Sequence, residues 1–182
     1  ILPQDIDELI MGCVLPAGIG QAPARQASLG AGISESTGCT TINKMCGSGM
    51  KAVMLAHDLL AANTNSIMVA GGMESMSNTP YILPKARSGQ RLGHGQMIDH
   101  MFLDGLEDAY EKGTLMGVFA ERTAKSYGFS RKLQDEFAIR SLIRAKKAIE
   151  DGSFDNEVTP VNYLNRRGNI SVLKDEQPLT AD

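Results

Sequence analysis

Residues 7–15 read DELIMGCVL, an acidic start followed by a continuous apolar run that Pro16 closes. That pattern predicts a buried strand. AGIGQAP, residues 17–23, is a loop. Pro23 suits the first turn of a short helix through Arg25, Ala27 and Leu29, stopped by Gly30 or Gly32. CTTINKM, residues 39–45, favours strand, with Thr and Ile at its centre. From Gly47 the period becomes helical: Met50, Val53, Met54, His57, Leu60 and Ala61 recur on one side. Ala52, Leu55, Ala56 and Leu59 make other faces apolar too, so this helix is expected to be buried nearly all round. SIMVAGG, residues 66–72, is a short apolar strand ending in glycines, as in a covered parallel sheet. Strand, helix and strand over this span make a βαβ unit.

After Ser77 the character changes. NTPYILPKARSGQRLGHGQ, residues 78–96, is loop-like. Gly117 to Tyr127 reads as a helix that stops near Gly128. Ser130 is the expected N-cap of the next helix, which runs to about Glu150 with Gly152 as its C′ residue. Leu133, Phe137, Leu142, Ala145 and Ile149 give that helix an apolar side, and Arg131, Lys132, Asp135 and Lys146 a wet one. EVTPVNYL (157–164) and NISVL (169–173) are expected to be short strands flanking a turn at Arg166-Arg167-Gly168. No internal repeat is present. The organisation expected is an α/β piece over residues 1–76 and a largely helical, loop-rich piece over residues 77–182.

Composition narrows the function classes. The 182 residues suit one domain or one and a half, and 42% hydrophobic with 21% charged residues is ordinary for a globular core. A net charge of −3, with Lys and Arg spread along the chain, argues against a nucleic-acid partner. No apolar stretch is long enough to span a bilayer, and no basic start leads into an apolar signal core. No membrane partner is expected. The chain opens on Ile1 and is expected to be a piece of a longer protein.

Three cysteines without a CxxC pair favour reduced thiols inside the cell, and a cytoplasmic location is expected. No metal site is expected. The gap from Cys39 to Cys46 lies outside ligand spacing, and His57, His94 and His100 complete no known pattern. His57 is expected to be a hydrogen-bonded core residue, and His94 and His100 loop residues. Met45, Met50, Met54, Met68, Met73 and Met76 read as adaptable core filler. Gly18-Ile19-Gly20 lacks the third glycine of a dinucleotide fingerprint, because Pro23 stands there.

The chemistry concentrates at INKMCGSGM, residues 42–50, where Cys46 joins a strand to the start of a helix. A helix N-terminus carries unpaired N–H groups and a partial positive charge. A thiol there ionises more readily, and the thiolate is the nucleophile. Gly47 and Gly49 clear side chains from its approach. The strand–turn–helix arrangement resembles the hydrolase nucleophile elbow, whose turn amides hold an oxyanion. A small buried thiol at an ordinary turn explains the local residues equally well. Cys13 and Cys39 read as packing. Ser48 is a weaker candidate, because the GxSxG pattern needs another arrangement.

NKMCGSGMKAV resembles the nucleophile segment of the thiolase family. GCVLPAGIGQAPARQASLGAGI before it resembles the family too, as do VAGGMESMSNTPY, DGLEDAY, LMGVFAERTAKSYGFSRKLQDEFA and EVTPV after it, all in the family's order. The resemblance covers nearly the whole chain and implies a thiolase-like α/β fold. Residues 1–76 would be an incomplete N-terminal sheet domain carrying the nucleophile. Residues 77–182 would be a mostly helical loop domain that covers the CoA. It implies that Cys46 accepts the acyl group of an acyl-CoA and that its N–H is one oxyanion donor. Leu106 and Met116 match positions lining the substrate pocket, and Leu115 stands beside them. No cofactor is implied, since the coenzyme A thioester is the substrate. Residues near 85–100 correspond to a segment used in tetramer contacts, so a homodimer or homotetramer is the expected partner state.

The implied activity is that of an acetyl-CoA C-acetyltransferase, condensing two acetyl-CoA to acetoacetyl-CoA or running the thiolysis. A degradative 3-ketoacyl-CoA thiolase of longer chains and a non-catalytic CoA-binding module are the alternatives. Two departures stand out. Acetoacetyl-type members usually carry His where this chain has Leu115, which removes a polar contact near the acyl group. The family's activating histidine, its asparagine-bearing segment and its second acid/base cysteine find no match here. The chain alone is therefore expected to be inactive or nearly so.

Overall fold

The computed structural model describes residues 1–166 and 168–180. Three strands, β1 (Glu8–Gly12), β2 (Gly38–Ile42) and β3 (Met68–Gly72), form a parallel sheet in the order β2-β1-β3. The register runs Glu8 beside Gly38 and Met68 to Gly12 beside Ile42 and Gly72, so all three strands end level. Helix α1 (Pro23–Gly30) packs on β1 and β2, and α2 (Ser48–Ala61) packs on β1 and β3. The connection from β2 through α2 to β3 crosses β1, which is the βαβ unit expected from the apolar runs.

Leu9 and Ile10 are consecutive, so their side chains point to opposite faces of the sheet. Each is 3% exposed, which shows β1 covered on both faces. Pro23 sits at the start of α1, as its fixed φ favours.

α2 differs from expectation. Its buried residues are Ser48, Ala52 and Ala56, one narrow stripe four residues apart. Small side chains let the helix approach the sheet closely. Met50, Val53, Met54 and Leu60 are exposed, as is His57, whose Nδ1 lies 3.3 Å from Asp58 Oδ1. The periodicity marked these positions as apolar, but only the small-residue stripe is buried. His57 follows Ala56 by one residue, about 100° round the helix. The reading of the methionines as core filler therefore fails for Met45, Met50, Met54 and Met76, which are all exposed.

Asp7 secures the amino ends of the strands. Its carboxylate accepts from Ser66 N at 2.7 Å and Ile67 N at 3.0 Å, and its backbone bonds to Ile67 and Gly38. The bonds from Ile67 and then Ser66 hold its pKa below the ordinary 3.8. A carboxylate depressed in the folded state stabilises fully above that ordinary value. The contribution is lost as pH falls through the lower folded value. Thermal midpoints between about pH 5 and pH 2 should therefore fall less steeply for Asp7→Asn than for the parent chain. Parallel slopes would remove this role.

Beyond β3, Tyr81–Ile82 (β4) pairs antiparallel with Ile98–Asp99 (β5) inside the stretch read as loop. A π-helical turn follows over Phe102–Leu106. Gly105 lies against Leu15, where an added Cβ would come within 3.4 Å of Leu15 Cδ2. Contacts accordingly divide the chain into Ile1–Val118 and Phe119–Asp182. The break in sequence character at residue 76 falls inside the first unit, because residues 80–105 fold back on it.

The division falls within α3 (Met116–Tyr127), which ends at Gly128 with φ +68°. In the second unit Ser130 Oγ accepts from Leu133 N at 3.2 Å and caps α4 (Arg131–Glu150), a bond worth about 1 kcal/mol. Gly152 takes φ +75° as the C′ residue. Leu142, Ala145 and Ile149 are half-buried, whereas Leu133 and Phe137 are exposed. Val161–Asn165 (β6) and Gly168–Val172 (β7) form the expected antiparallel pair, with Arg167 of the turn outside the described residues. A single-turn helix, α5 (Gln177–Thr180), follows.

Candidate active site

Parallel strands place their carboxyl ends on one edge, where α/β sheets bind ligands. Here that edge comprises Gly12, Ile42 and Gly72 and the segments that leave them. β2 runs into Asn43-Lys44-Met45-Cys46-Gly47, and α2 begins at Ser48. Cys46 is exposed and lines an open, shallow cavity of about 270 Å³. Gly12, Gly49, Gly72 and Glu74 are among the other residues of its wall. Among the described residues Cys46 forms an isolated backbone bridge with Lys44, and Gly47 N donates to Lys44 O at 3.2 Å.

The turn is held in an unusual shape. Met45 has φ +50°, in the left-handed region that costs a side-chain-bearing residue about 1–2 kcal/mol. Such strain persists only where the surroundings over-determine it. Ser48 is one constraint: its hydroxyl donates to Met45 O at 2.6 Å and accepts from Lys44 N at 2.8 Å. With both roles used and 4% exposure, Ser48 is a clamp and no free nucleophile. Asn43 is another, accepting from Met45 N at 2.9 Å through Oδ1.

The glycines permit the assembly. A Cβ on Gly12 would lie 2.6 Å from both the carbonyl carbon and Cβ of Ser48. β1 therefore touches the first turn of α2 backbone to backbone, which only glycine allows.

Glu74 forms the opposite wall. Its carboxylate accepts from Val14 N at 2.9 Å, from Leu15 N at 2.8 Å and from the Cys13 thiol at 3.6 Å. Burial raises the pKa of Cys13, and the charge and hydrogen bond of Glu74 raise it further. Cys13 is 3% exposed and Cys39 half-buried, in keeping with packing roles.

Leu106 closes the π-helical turn, Glu107 bridges to Leu115, and Met116 opens α3. Leu106, Leu115 and Met116 are each about two-fifths exposed, and none lines the Cys46 cavity. His94 is exposed. His100, expected in a loop, is 6% exposed and bonds through Nδ1 to Asp104 Oδ2 at 2.6 Å. None of the three histidines lines the cavity. No group of three His, Cys, Asp or Glu residues suited to a metal occurs among the described residues. Nor is any described helix long and apolar enough to cross a membrane.

Sequence reasoning missed Asn43 and Glu74. Asn43 had a signal: an Asn at a strand end commonly accepts from the backbone two residues on. Glu74 had none, since its partners lie about sixty residues earlier in the chain.

Comparison with known proteins agrees with this architecture. A family model described as thiolase, N-terminal domain, matches residues 1–181. Acetyl-CoA acetyltransferase IB of Candida tropicalis is 53% identical over 168 residues, 92% of this chain and 41% of that protein. The acetyl-CoA acetyltransferase of Escherichia coli K12 is 49% identical over 176 residues, 96% of this chain and 44% of that protein. A crystal structure of the Acat5 thiolase from Ascaris suum in complex with coenzyme A superposes with a TM-score of 0.87 at 38% identity. It covers 100% of this chain and 45% of its own. The chain thus spans less than half the length of these relatives.

Proposed function

This chain belongs to the thiolase family by its N-terminal domain, and from that premise we propose that Cys46 accepts the acyl group of an acyl-CoA. The carrying observation is the placement of an exposed thiol on a strained turn at the carboxyl edge of the sheet.

The Cys46 thiolate attacks the thioester carbonyl. A sulfur–carbon bond forms, and the carbonyl oxygen gains charge that the Cys46 N–H would stabilise. The tetrahedral centre collapses, the bond to the CoA sulfur breaks, and CoA thiolate leaves and takes up a proton. In the second half of a thiolase reaction an enolate of a second acetyl-CoA attacks the acyl-cysteine, the carbon–sulfur bond to the cysteine breaks, and acetoacetyl-CoA and the cysteine thiolate are released. That step needs a base beside the thioester carbonyl, and no histidine of this chain stands at the cavity. The full activity we assign is acetyl-CoA C-acetyltransferase, with Leu106, Leu115 and Met116 facing the acyl end. This chain by itself performs the acylation step and does not turn over. We assign it to a cytoplasmic homodimer or homotetramer. Three unpaired thiols suit a reducing compartment.

Alkylation with iodoacetamide tests the nucleophile. Cys46 should label first, Cys39 more slowly, and Cys13 last because it is buried and its thiol holds its proton to higher pH. Acetyl-CoA should slow the labelling of Cys46 alone. Equal and slow labelling of all three thiols, unaffected by acetyl-CoA, would remove the proposal.

A further inference from the structure

We propose that Asn43 is a positioning residue of the acyl-transfer site, holding the Cys46 turn in its left-handed form and tying it to β1. The inference rests on the reading of Cys46 as the acyl acceptor. Met45 precedes Cys46 directly, so its φ of +50° sets the direction of the Cys46 amide and side chain. That φ suits glycine, not methionine.

Asn43 acts on it through two different atoms. Oδ1 accepts from Met45 N at 2.9 Å, which closes a local turn over the strained residue. Nδ2 donates to Val14 O at 3.4 Å, in the segment leaving β1. Val14 N in turn donates to Glu74 Oε2 at 2.9 Å, beyond the end of β3. Asn43 thus links the turn after β2 to the segment after β1, which Glu74 in turn ties to the segment after β3. Ser48 clamps the same turn through hydrogen bonds to Lys44 and Met45, and meets β1 only by close packing against Gly12. Asn43 is exposed and contributes no buried surface to the core, which separates its role from packing.

The two atoms are separable by substitution. Asn43→Asp keeps an oxygen for Met45 N but loses the donor to Val14. Asn43→Ala loses both. Met45→Gly relieves the backbone strain, so the turn no longer needs the first bond. The readout is a ratio, the rate of Cys46 acylation by acetyl-CoA over the rate of Cys46 alkylation by iodoacetamide. Both are followed by peptide mass spectrometry at mildly alkaline pH on the whole chain. Alkylation asks only for an accessible thiol. Acylation also asks that the thiol and the amide be oriented on one carbonyl.

Asn43→Ala should lower the ratio about tenfold. Asn43→Asp should fall between it and the parent. Asn43→Ala with Met45→Gly should recover most of the loss, which a residue acting only on stability would not allow. Should Asn43→Ala melt below the labelling temperature, Asn43→Asp against the parent carries the comparison. A ratio unchanged in both single variants, or a loss that Met45→Gly leaves in place, overturns the positioning role and leaves the nucleophile standing. A parent chain that alkylates at Cys46 but takes no acyl group overturns the nucleophile reading and this inference with it.

Discussion

Cys46→Ala should abolish uptake of the acyl group from acetyl-CoA and leave the thermal midpoint of the chain nearly unchanged. The two halves of that expectation have separate causes. The side chain is exposed and makes no described hydrogen bond through its sulfur, so its removal costs the fold no more than about 0.5 kcal/mol. Acylation, by contrast, has no substitute nucleophile. Cys13 is buried, and desolvation together with Glu74 keeps its thiol protonated to higher pH than an ordinary thiol. Cys39 lies inside β2 and its thiol donates to Thr37 O at 3.4 Å. The acylation rate should fall by at least about three orders of magnitude, to the background of these two thiols. Intact-mass measurement followed by peptide mapping reads the result. An acyl group still found at the parent rate, on Cys13 or Cys39, would place the chemistry elsewhere.

What the sequence made legible was local. Pro23 opening α1, Ser130 capping α4, and Gly128 and Gly152 closing helices in left-handed conformations each depend on one residue and its immediate neighbours. The parallel pairing of the apolar runs was legible for a similar reason, since strand, helix and strand in order leave few ways to build a sheet. The burial of α2 was not. Its apolar residues cover most of the circumference, yet only Ser48, Ala52 and Ala56 are buried. Periodicity states which positions are apolar, and their partners belong to tertiary structure. The pairing of β4 with β5, only two residues each, carried no period at all.

The nucleophile shows the same division. A cysteine between a strand and a glycine-rich helix start was visible at once. The bonds that shape its turn were not, because Asn43, Val14 and Glu74 come from three segments joined only in the fold. Glycine spacing pointed to an open approach at Cys46. It gave no sign that Gly12, thirty-four residues earlier, is the glycine on which the helix start rests.

That contact supports the second large effect, expected from Gly12→Ala. The new Cβ would fall 2.6 Å from the Ser48 carbonyl carbon, 2.6 Å from Ser48 Cβ and 2.7 Å from Gly49 N. Two of these three atoms are backbone, so no flexible side-chain end is available to swing away. Either β1 or the first turn of α2 must shift. β1 is the central strand, bonded on both sides and covered on both faces, so the helix start is the part that gives. Overpacking of this kind costs about 3 kcal/mol, which for a unit of this size lowers the thermal midpoint by roughly 10 °C. A shift of the helix start carries Ser48 with it, and Ser48 Oγ holds both Lys44 N and Met45 O. Acylation of Cys46 should therefore drop about a hundredfold, while alkylation of the exposed thiol changes far less. Gly71→Ala is the control within the same sheet. Its Cβ would meet the Met11 sulfur at 3.4 Å, the far part of a flexible side chain, and should cost much less. Equal effects of the two substitutions would mean that the backbone contact at Gly12 does not set the nucleophile turn.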